Sequence, residues 1–157
     1  IRFKENEIID KKIKVIKTNR GGKITLHSPG QKVVYFVINL NKRKKDIRLF
    51  IKIIEKSIIE LLKKYNIIAY ADRKNIGIWV KNKNNIKKVA AIGIKVKKWI
   101  AYHGFAINIS NNLKKYDKIN PCGLNSKKIT NLHKIKKQSY NKIKNKLIEK
   151  FIVNIEN

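Results

Sequence analysis

The sequence predicts an α+β fold, in which a mostly antiparallel sheet carries helices on one side. Short apolar stretches with strand-like patterning, separated by turn residues, occupy most of the chain between residues 13 and 109. Two amphipathic helical patterns are also present. One lies between the early and the later strand-like stretches, and the other lies at the end of the chain. With no internal repeat and no linker rich in proline and serine, this order indicates one domain over residues 1–157.

Three strands are expected before the first helix. Residues 13–18 and 23–27 alternate between apolar and polar side chains, and they are predicted to pair with each other across a turn at 19–22. Residues 33–38 form a continuous apolar run, which predicts a central strand covered on both faces.

The first helix is predicted to begin behind Asp46, which is a favourable N-cap. Apolar residues then recur at spacings of three and four over about five turns, and Asn66 is suited to end the helix in a left-handed conformation. We interpret the apolar face as core: Ile47, Phe50, Ile54, Ile58, Leu61 and Tyr65. The later chain predicts short strands at 67–71, 77–80, 88–96 and 104–109, and a final helix at 139–155.

The composition excludes several classes of protein. One cysteine in 157 residues rules out an internal disulfide and a cysteine-based zinc site, and the three histidines lie too far apart for a metal-binding motif. The apolar runs are short and interrupted by lysine, so we expect no membrane span, and the charged start is unlike a signal peptide. Because the sequence contains no methionine, even at position 1, we expect it to be cut from a longer chain.

The formal net charge of +29 favours a nucleic-acid binder at first sight. However, lysine, isoleucine and asparagine dominate the whole chain, and all three have A/T-rich codons. Arginine, which suits bidentate phosphate and guanine contacts, occurs at only five positions, and lysine is not gathered into one stripe. We therefore attribute most of the charge to base composition and keep nucleic-acid binding as an alternative.

Four segments combine unusual residue choices. They are Arg20-Gly21-Gly22 followed by Thr25 and His27 and then Gly30-Gln31, the stretch from Lys88 to Gly93, Tyr102-His103-Gly104-Phe105-Ala106, and Asn120-Pro121-Cys122-Gly123. Proline and glycine on either side of Cys122 predict a turn that presents the thiol outward. Each segment alone is weak evidence, because a double glycine is usually only a turn and a lone cysteine is usually a small buried side chain.

In this order and spacing, the four segments resemble the motifs of the lipoyl(octanoyl) transferase family: Arg-Gly-Gly-x-x-Thr-x-His, Lys-[Ile/Val]-x-x-[Ile/Leu]-Gly, His-Gly-[Phe/Leu]-Ala and Pro-Cys-Gly. The resemblance runs from about residue 19 to about residue 124. It implies a fold like the catalytic domain of biotin and lipoate protein ligases. It also implies transfer of an octanoyl group from acyl carrier protein to a lysine of the lipoyl domains of 2-oxoacid dehydrogenases, through a thioester and without a cofactor.

The resemblance also implies roles for individual residues. Cys122 would accept the acyl group, and Lys88 would be its partner. The acyl site is expected to be formed by Arg20, Gly21, Gly22, Lys23, Ile24, Thr25, Leu26, His27, Ala91, Ile92, Gly93, His103, Gly104, Phe105 and Ala106. The small residues among them leave room for a slim alkyl chain, and the N–H groups of Gly21 and Gly22 are candidate donors to an oxyanion.

A neighbouring lysine would give a cysteine the reactivity that this transfer needs. The pKa of a free thiol is near 8.5, so little thiolate exists at neutral pH. An ammonium group ~4 Å away, at an effective dielectric constant near 20, favours the thiolate by roughly 4 kcal/mol before desolvation is subtracted. After acylation the thiolate charge is gone, and burial then favours a neutral lysine amine that accepts a proton from the incoming amine. We expect a ping-pong reaction with a bell-shaped pH profile.

Two departures from the family pattern are present. Ser28 stands where the family usually has glycine, and an upstream stretch of the type Glu-His-x-x-Val-x-Thr is absent, so we expect a catalytic domain that is incomplete at its N-terminus.

Three alternatives stay open: an ATP-dependent relative of lipoate or biotin ligases, a basic nucleic-acid-binding module, and an inactive, decayed copy. The expected partners are octanoyl-acyl carrier protein and lipoyl domains, with no membrane and no specific nucleic acid. We expect a monomer in the cytoplasm, or in an organelle if the source is a eukaryote.

Overall fold

The fold is built on a five-stranded antiparallel sheet with the strand order β1-β5-β4-β3-β2. The strands are β1 (Gln31–Asn39), β2 (Ala69–Ala71), β3 (Ile78–Asn82), β4 (Asn85–Lys97) and β5 (Ile100–Asn108). The helices are α1 (Ile47–Lys63), the short α2 (Leu132–Ile135) and α3 (Ile143–Glu156). This computed structural model describes residues 8–10, 14–22, 24–82, 85–119 and 128–157. The predicted α+β class with an antiparallel sheet is confirmed.

The two long helices pack against the same face of the sheet. Phe36 of β1 contacts both of them, with ring centroids 5.4 Å from Phe50 of α1 and 5.6 Å from Phe151 of α3. Phe105 of β5 lies on the same face, with its ring centroid 6.2 Å from that of Phe151. Aromatic pairs at these separations add to the hydrophobic burial that holds the helices on the sheet.

Helix α1 follows the sequence prediction closely. The Asp46 carboxylate accepts a hydrogen bond from the Leu49 amide at 2.9 Å, so the predicted N-cap is confirmed. Asn66 has φ 55°, which is the predicted left-handed conformation behind the helix. The buried face includes Phe50, Ile54 and Ile58.

Helix α3 is joined to α1 by polar contacts as well as apolar ones. The Asn154 side-chain amide donates to Ser57 Oγ at 3.2 Å and to Glu60 Oε2 at 3.1 Å. The ammonium of Lys150 lies 3.4 Å from the same carboxylate oxygen. Ser57 and Asn154 are almost fully buried, so these hydrogen bonds remove the cost of burying their polar atoms.

Strand β1 differs from its prediction as a central strand covered on both faces. It lies at one edge of the sheet, and Tyr35 and Val37 are 72% and 78% exposed. Alternate residues of the strand, including Val34 and Phe36, pack against the core. The continuous apolar run was misleading because the helices cover only one face, which leaves the other face of this strand apolar but open.

The two strands predicted before β1 are also not observed. Residues 14–18 and 24–27 belong to no strand, and positions 13 and 23 lie outside the described residues. This segment instead contacts the sheet through individual hydrogen bonds, among them that of the Gly21 amide with the Ile94 carbonyl at 3.0 Å and that of Asn19 Oδ1 with His103 Nε2 at 2.6 Å. The later strands and α3 agree with their predicted positions to within about four residues at each end.

No helix within the described ranges is long and apolar enough to cross a bilayer.

Truncation of the α1 core is expected to destabilise the fold. Ile58 is fully buried, so Ile58→Ala removes apolar contacts and leaves a cavity, at a cost of about 2–5 kcal/mol in the free energy of unfolding. Urea unfolding followed by circular dichroism measures this loss. Ile68, which is 91% exposed, provides the matched control, and an equal loss in Ile68→Ala would contradict the assignment of this core.

Candidate active site

A cavity of about 640 Å³ lies beside the part of β4 that has a neighbouring strand on one side only. Strand β3 pairs with β4 as far as Ile78 opposite Ala90. Beyond this point β4 pairs with β5 alone among the described strands. The segment 20–22 and the loop 74–76 flank this open edge, and both contribute to the cavity wall.

The structure brings most of the predicted site residues together. Those that line the cavity are Arg20, Gly21, Gly22, Thr25, His27, Lys88, Ala91, Ile92, Gly93, Gly104, Phe105 and Ala106. Ile24 and Leu26 instead pack against a small buried cluster of Tyr116, Ile119 and Ile129. Cys122 and Lys23 lie outside the described residues.

Lys88 is the buried cation of this cavity, with 6% of its surface exposed. Its ammonium nitrogen lies 5.4 Å from the centroid of the Trp79 ring, a distance at which the ring face attracts a cation. Its main chain is fixed as well, because the Lys88 carbonyl accepts from the Thr130 amide at 2.9 Å and Lys88 forms a parallel bridge with Ile129.

Gly77 provides the space that the Lys88 side chain occupies. A Cβ atom at this position would collide with Lys88 Cε and would lie 2.6 Å from the Ala90 carbonyl oxygen and 3.0 Å from Lys88 Nζ. Gly77 also has φ +136°, which side chains rarely adopt. The sequence analysis missed this residue, and its only signal was a glycine directly before a strand.

Glycines also allow the segment 20–22 to lie directly on β4. A Cβ atom on Gly21 would be 2.5 Å from the Ile94 carbonyl oxygen, and one on Gly93 would be 3.2 Å from the Gly21 carbonyl oxygen. Because the Gly21 amide already donates to Ile94, it is not the free oxyanion donor that the sequence analysis considered. The Gly22 amide is the remaining candidate of that pair.

His103 does not line the cavity. Its Nε2 atom lies 2.6 Å from the Asn19 side-chain oxygen, directly before Arg20. His103 has φ 71°, an uncommon conformation that is held here between the paired residues of β5. Through Asn19, His103 therefore contacts the segment whose next residues, 20–22, line the cavity.

The pKa of the His27 imidazole is lowered from its ordinary value of 6.5. Desolvation by surrounding protein atoms is the main cause, and the positive charge of Arg20 adds to it, whereas a hydrogen bond with Gln31 opposes it. The residue as a whole is nevertheless exposed. The environment therefore favours a neutral imidazole on the cavity wall.

The cavity also has lining residues that the sequence analysis did not select. Ile47 and Ile51 come from the first turns of α1, and Lys74, Asn75 and Ile76 come from the loop between β2 and β3. The helix pattern assigned Ile47 to the core and gave no reason to separate the start of the helix from the rest. Within the described residues, no group of three His, Cys, Asp or Glu side chains is placed to hold a metal ion.

Residues 3–152 match the family described as the lipoyl protein ligase A/B catalytic domain. The chain belongs to this family. The match covers every residue that lines the cavity and extends across positions 120–127.

Members of the family with high similarity to this chain are bacterial octanoyltransferases. The chain is 46% identical over 132 residues to the octanoyltransferase of Wolbachia pipientis subsp. Culex pipiens (strain wPip), which covers 83% of this chain and 64% of that protein. It is 47% identical over 137 residues to the octanoyltransferase of Rickettsia canadensis (strain McKiel), which covers 85% of this chain and 66% of that protein. The chain thus spans slightly less than two thirds of these relatives.

Solved structures with the same fold include a lipoate ligase and a biotin ligase. A lipoate-protein ligase A bound with ATP superposes with a TM-score of 0.69 at 17% identity, covering 88% of this chain and 57% of that one. The biotin protein ligase of Aquifex aeolicus superposes with a TM-score of 0.60 at 18% identity, covering 81% and 53%. The predicted likeness of fold to these ligase domains is therefore confirmed.

Protonation of His27 is expected to destabilise this family member. Because the pKa of His27 is lower in the folded chain than its ordinary value of 6.5, the unfolded chain binds more protons in the interval between the two values. The stability that comes from the neutral imidazole is fully present above pH 6.5, the ordinary pKa. It is lost as the pH falls through the lower pKa that His27 has in the folded chain. We expect the free energy of urea unfolding to fall more between about pH 8 and about pH 5 in the wild type than in His27→Asn. Equal losses would contradict this assignment.

Proposed function

We propose that this chain transfers an octanoyl group from acyl carrier protein to a lysine of lipoyl domains, through a thioester on Cys122 that is assisted by Lys88. The observation that carries the proposal is the buried Lys88 ammonium on the wall of a cavity built from the family motifs. The high similarity to proteins named octanoyltransferase supports the reaction class.

The chain on both sides of positions 120–127 supports a placement of Cys122 near Lys88. On one side, Ile119 belongs to the same buried cluster as Ile129. On the other side, Ile129 bridges to Lys88 itself. Cys122 is three residues beyond Ile119, a reach of roughly 10 Å for an extended chain. Both ends of the segment are therefore anchored close to the lysine.

In the first half-reaction, the Cys122 thiolate attacks the acyl carbonyl of the donor thioester. A new bond joins Cys122 Sγ to the acyl carbon, the bond to the carrier sulfur breaks, and the carrier thiolate leaves and takes up the proton of the Lys88 ammonium. The Lys88 ammonium stabilises the attacking thiolate, because an opposite charge at close range favours the charged form of a thiol. The Gly22 amide is a candidate donor to the oxyanion.

In the second half-reaction, the amine of the acceptor lysine attacks the thioester carbonyl. The amide bond forms, the bond to Cys122 Sγ breaks, and the proton from the amine passes to Lys88. Lys88 can accept this proton because acylation has removed the thiolate charge and burial disfavours the charged form of an amine. One lysine thus serves as the charge partner and acid in the first step and as the general base in the second.

The cavity suits a slim, apolar acyl chain. Its volume of about 640 Å³ lies in the range of small-ligand sites. Ala91, Gly93 and Ala106 leave space beside the sheet, and Ile47 and Ile51 add apolar surface at the start of α1. The positive net charge of +29 would favour association with acidic partners, as proposed for the acyl carrier protein and the lipoyl domain.

ATP-dependent acid activation is the second candidate, because a lipoate-protein ligase bound with ATP shares this fold. A ligase would need ATP and free octanoate and would not need a cysteine nucleophile. Nothing in the proposed mechanism requires ATP, a metal or another cofactor.

Intact-mass spectrometry with octanoyl-acyl carrier protein tests the proposal. Wild type is expected to gain one octanoyl group that hydroxylamine removes, since hydroxylamine cleaves thioesters, and Cys122→Ser is expected to form no such adduct or to form it far more slowly. Adding a lipoyl domain should then discharge the adduct to the acceptor lysine. The proposal would be contradicted if wild type and Cys122→Ser formed the adduct at equal rates. It would also be contradicted if transfer required ATP and free octanoate.

Loss of the Lys88 ammonium is expected to slow both half-reactions. Lys88→Met keeps an unbranched apolar side chain but removes the charge and the base, so we expect adduct formation and discharge to fall by about 10²-fold or more. Lys97→Met is the matched control, because Lys97 is exposed on the same strand. Wild-type rates for both half-reactions in Lys88→Met would exclude the pairing of Cys122 with Lys88, whatever the result of the Cys122→Ser comparison.

A further inference from the structure

A polar cluster at the start of β1 connects the segments that surround the cavity. The Gln31 side-chain nitrogen lies 2.8 Å from Asn108 Oδ1, 2.9 Å from the Tyr116 hydroxyl and 3.2 Å from the Leu26 carbonyl oxygen. Its side-chain oxygen accepts from the Ser28 amide at 3.0 Å. These contacts join Gln31 to four groups, and its side-chain hydrogen bond with His27 is a fifth. Two of the four groups belong to Leu26 and Ser28, the residues directly before and after His27.

Two members of the cluster are buried, and each member is hydrogen-bonded. Asn108 and Tyr116 are 6% and 4% exposed, Gln31 is half-buried, and the Tyr116 hydroxyl donates to Asn108 Oδ1 at 3.3 Å. Hydrogen-bonded networks of this kind hold their members in one arrangement. Only a side chain with both a donor and an acceptor can make the contacts of Gln31. An apolar residue of similar size would remove these contacts and leave Asn108 and Tyr116 joined to each other by one hydrogen bond.

The cluster reaches both ends of the segment 120–127. Tyr116 leads directly to Ile119, whose amide donates to the Tyr116 carbonyl at 3.2 Å. On the other side, the Asn108 side-chain amide donates to the Thr130 carbonyl at 2.9 Å. The amide of the same Thr130 donates to the Lys88 carbonyl at 2.9 Å. Gln31 is thus connected through Tyr116 to the N-terminal end of the segment 120–127. Through Asn108 it is connected to the C-terminal end of that segment and to Lys88.

We infer that Gln31 is a positioning residue of the transfer reaction, and that with Asn108 and Tyr116 it sets where the two ends of the Cys122 segment stand relative to Lys88. The inference deepens the proposed function and rests on it. Gln31 lies outside the cavity wall and touches no substrate. It acts through the main chain at residues 26–28, 116–119 and 130.

The test compares Gln31→Met with Tyr116→Phe, which removes one hydroxyl, and with Gln138→Met. Gln138 is a matched control, because its side-chain amide also donates to a main-chain carbonyl, that of Tyr65 at 2.9 Å, and to a buried tyrosine hydroxyl, that of Tyr140 at 3.3 Å. Thermal unfolding reports the structural cost of each change. Alkylation of Cys122 by iodoacetamide across a range of pH reports the pairing of its thiol with Lys88 without any acyl donor.

We expect Gln31→Met and Tyr116→Phe to shift the midpoint of Cys122 alkylation upward, toward the value of about 8.5 for a free thiol. We also expect them to lower the rate constant of octanoyl adduct formation at saturating carrier by about tenfold or more, with little change in the concentration of carrier at half saturation. Gln138→Met should lower the melting temperature and leave both readouts at wild-type values.

The inference is overturned if Gln31→Met and Tyr116→Phe keep the wild-type alkylation midpoint and rate, or if Gln138→Met moves them equally. If Gln31→Met does not fold, Tyr116→Phe decides alone. A wild-type protein that forms no octanoyl adduct contradicts the proposed function instead, and the alkylation profiles still decide whether Gln31 positions Cys122.

Discussion

The burial of one ammonium group is the constraint on which the candidate site depends. Lys88 is almost entirely removed from solvent, and desolvating a cation costs several kcal/mol unless nearby groups compensate. The Trp79 ring supplies part of that compensation, and Gly77 leaves the space in which the side chain lies. The bond from Thr130 fixes the main chain at the same residue. In the proposed mechanism, the Cys122 thiolate adds to this compensation in the first half-reaction, and its charge is lost when the thiol is acylated.

The fold by itself does not distinguish a transferase from a ligase. Lipoate-protein ligase A and biotin protein ligase share the architecture at 17% and 18% identity, and one fold commonly supports several reactions. A wall of glycine and alanine beside an open strand edge suits any slim acyl chain, whether it arrives as a thioester or as a free acid. The feature that would distinguish a transferase from a ligase is therefore the thiol at position 122, together with the contacts that would hold it near Lys88.

The sequence predicted the elements whose patterns are local. Helix α1 could be predicted with its N-cap at Asp46 and its end at Asn66, because capping and 3.6-residue periodicity depend only on neighbouring residues. The edge position of β1 could not, because it depends on strand order and on which face the helices cover. The strand pair predicted before β1 is not observed for a related reason, since this region contacts the sheet through individual hydrogen bonds, among them those of Asn19 and Gly21, rather than through a strand ladder. The motif resemblance located most of the cavity wall, whereas Gly77 and Ile51 were missed because their roles arise only from tertiary contacts.

In the proposed mechanism, the polar cluster around Gln31 holds two reactive groups from separate segments in register. Lys88 lies within a strand, where pairing with β3 restricts its position. Cys122 belongs to the connection between Ile119 and Lys128, and both ends of that connection are among the described residues. Apolar packing of Tyr116, Ile119 and Ile129 brings these ends together but gives little directional control, because hydrophobic contacts are not directional. Hydrogen bonds from Gln31 and Asn108 supply that direction. A thiolate and an ammonium lose much of their mutual stabilisation when their separation doubles, since the Coulomb energy falls inversely with distance. Under this proposal, a half-buried amide outside the cavity wall controls the chemistry within the cavity.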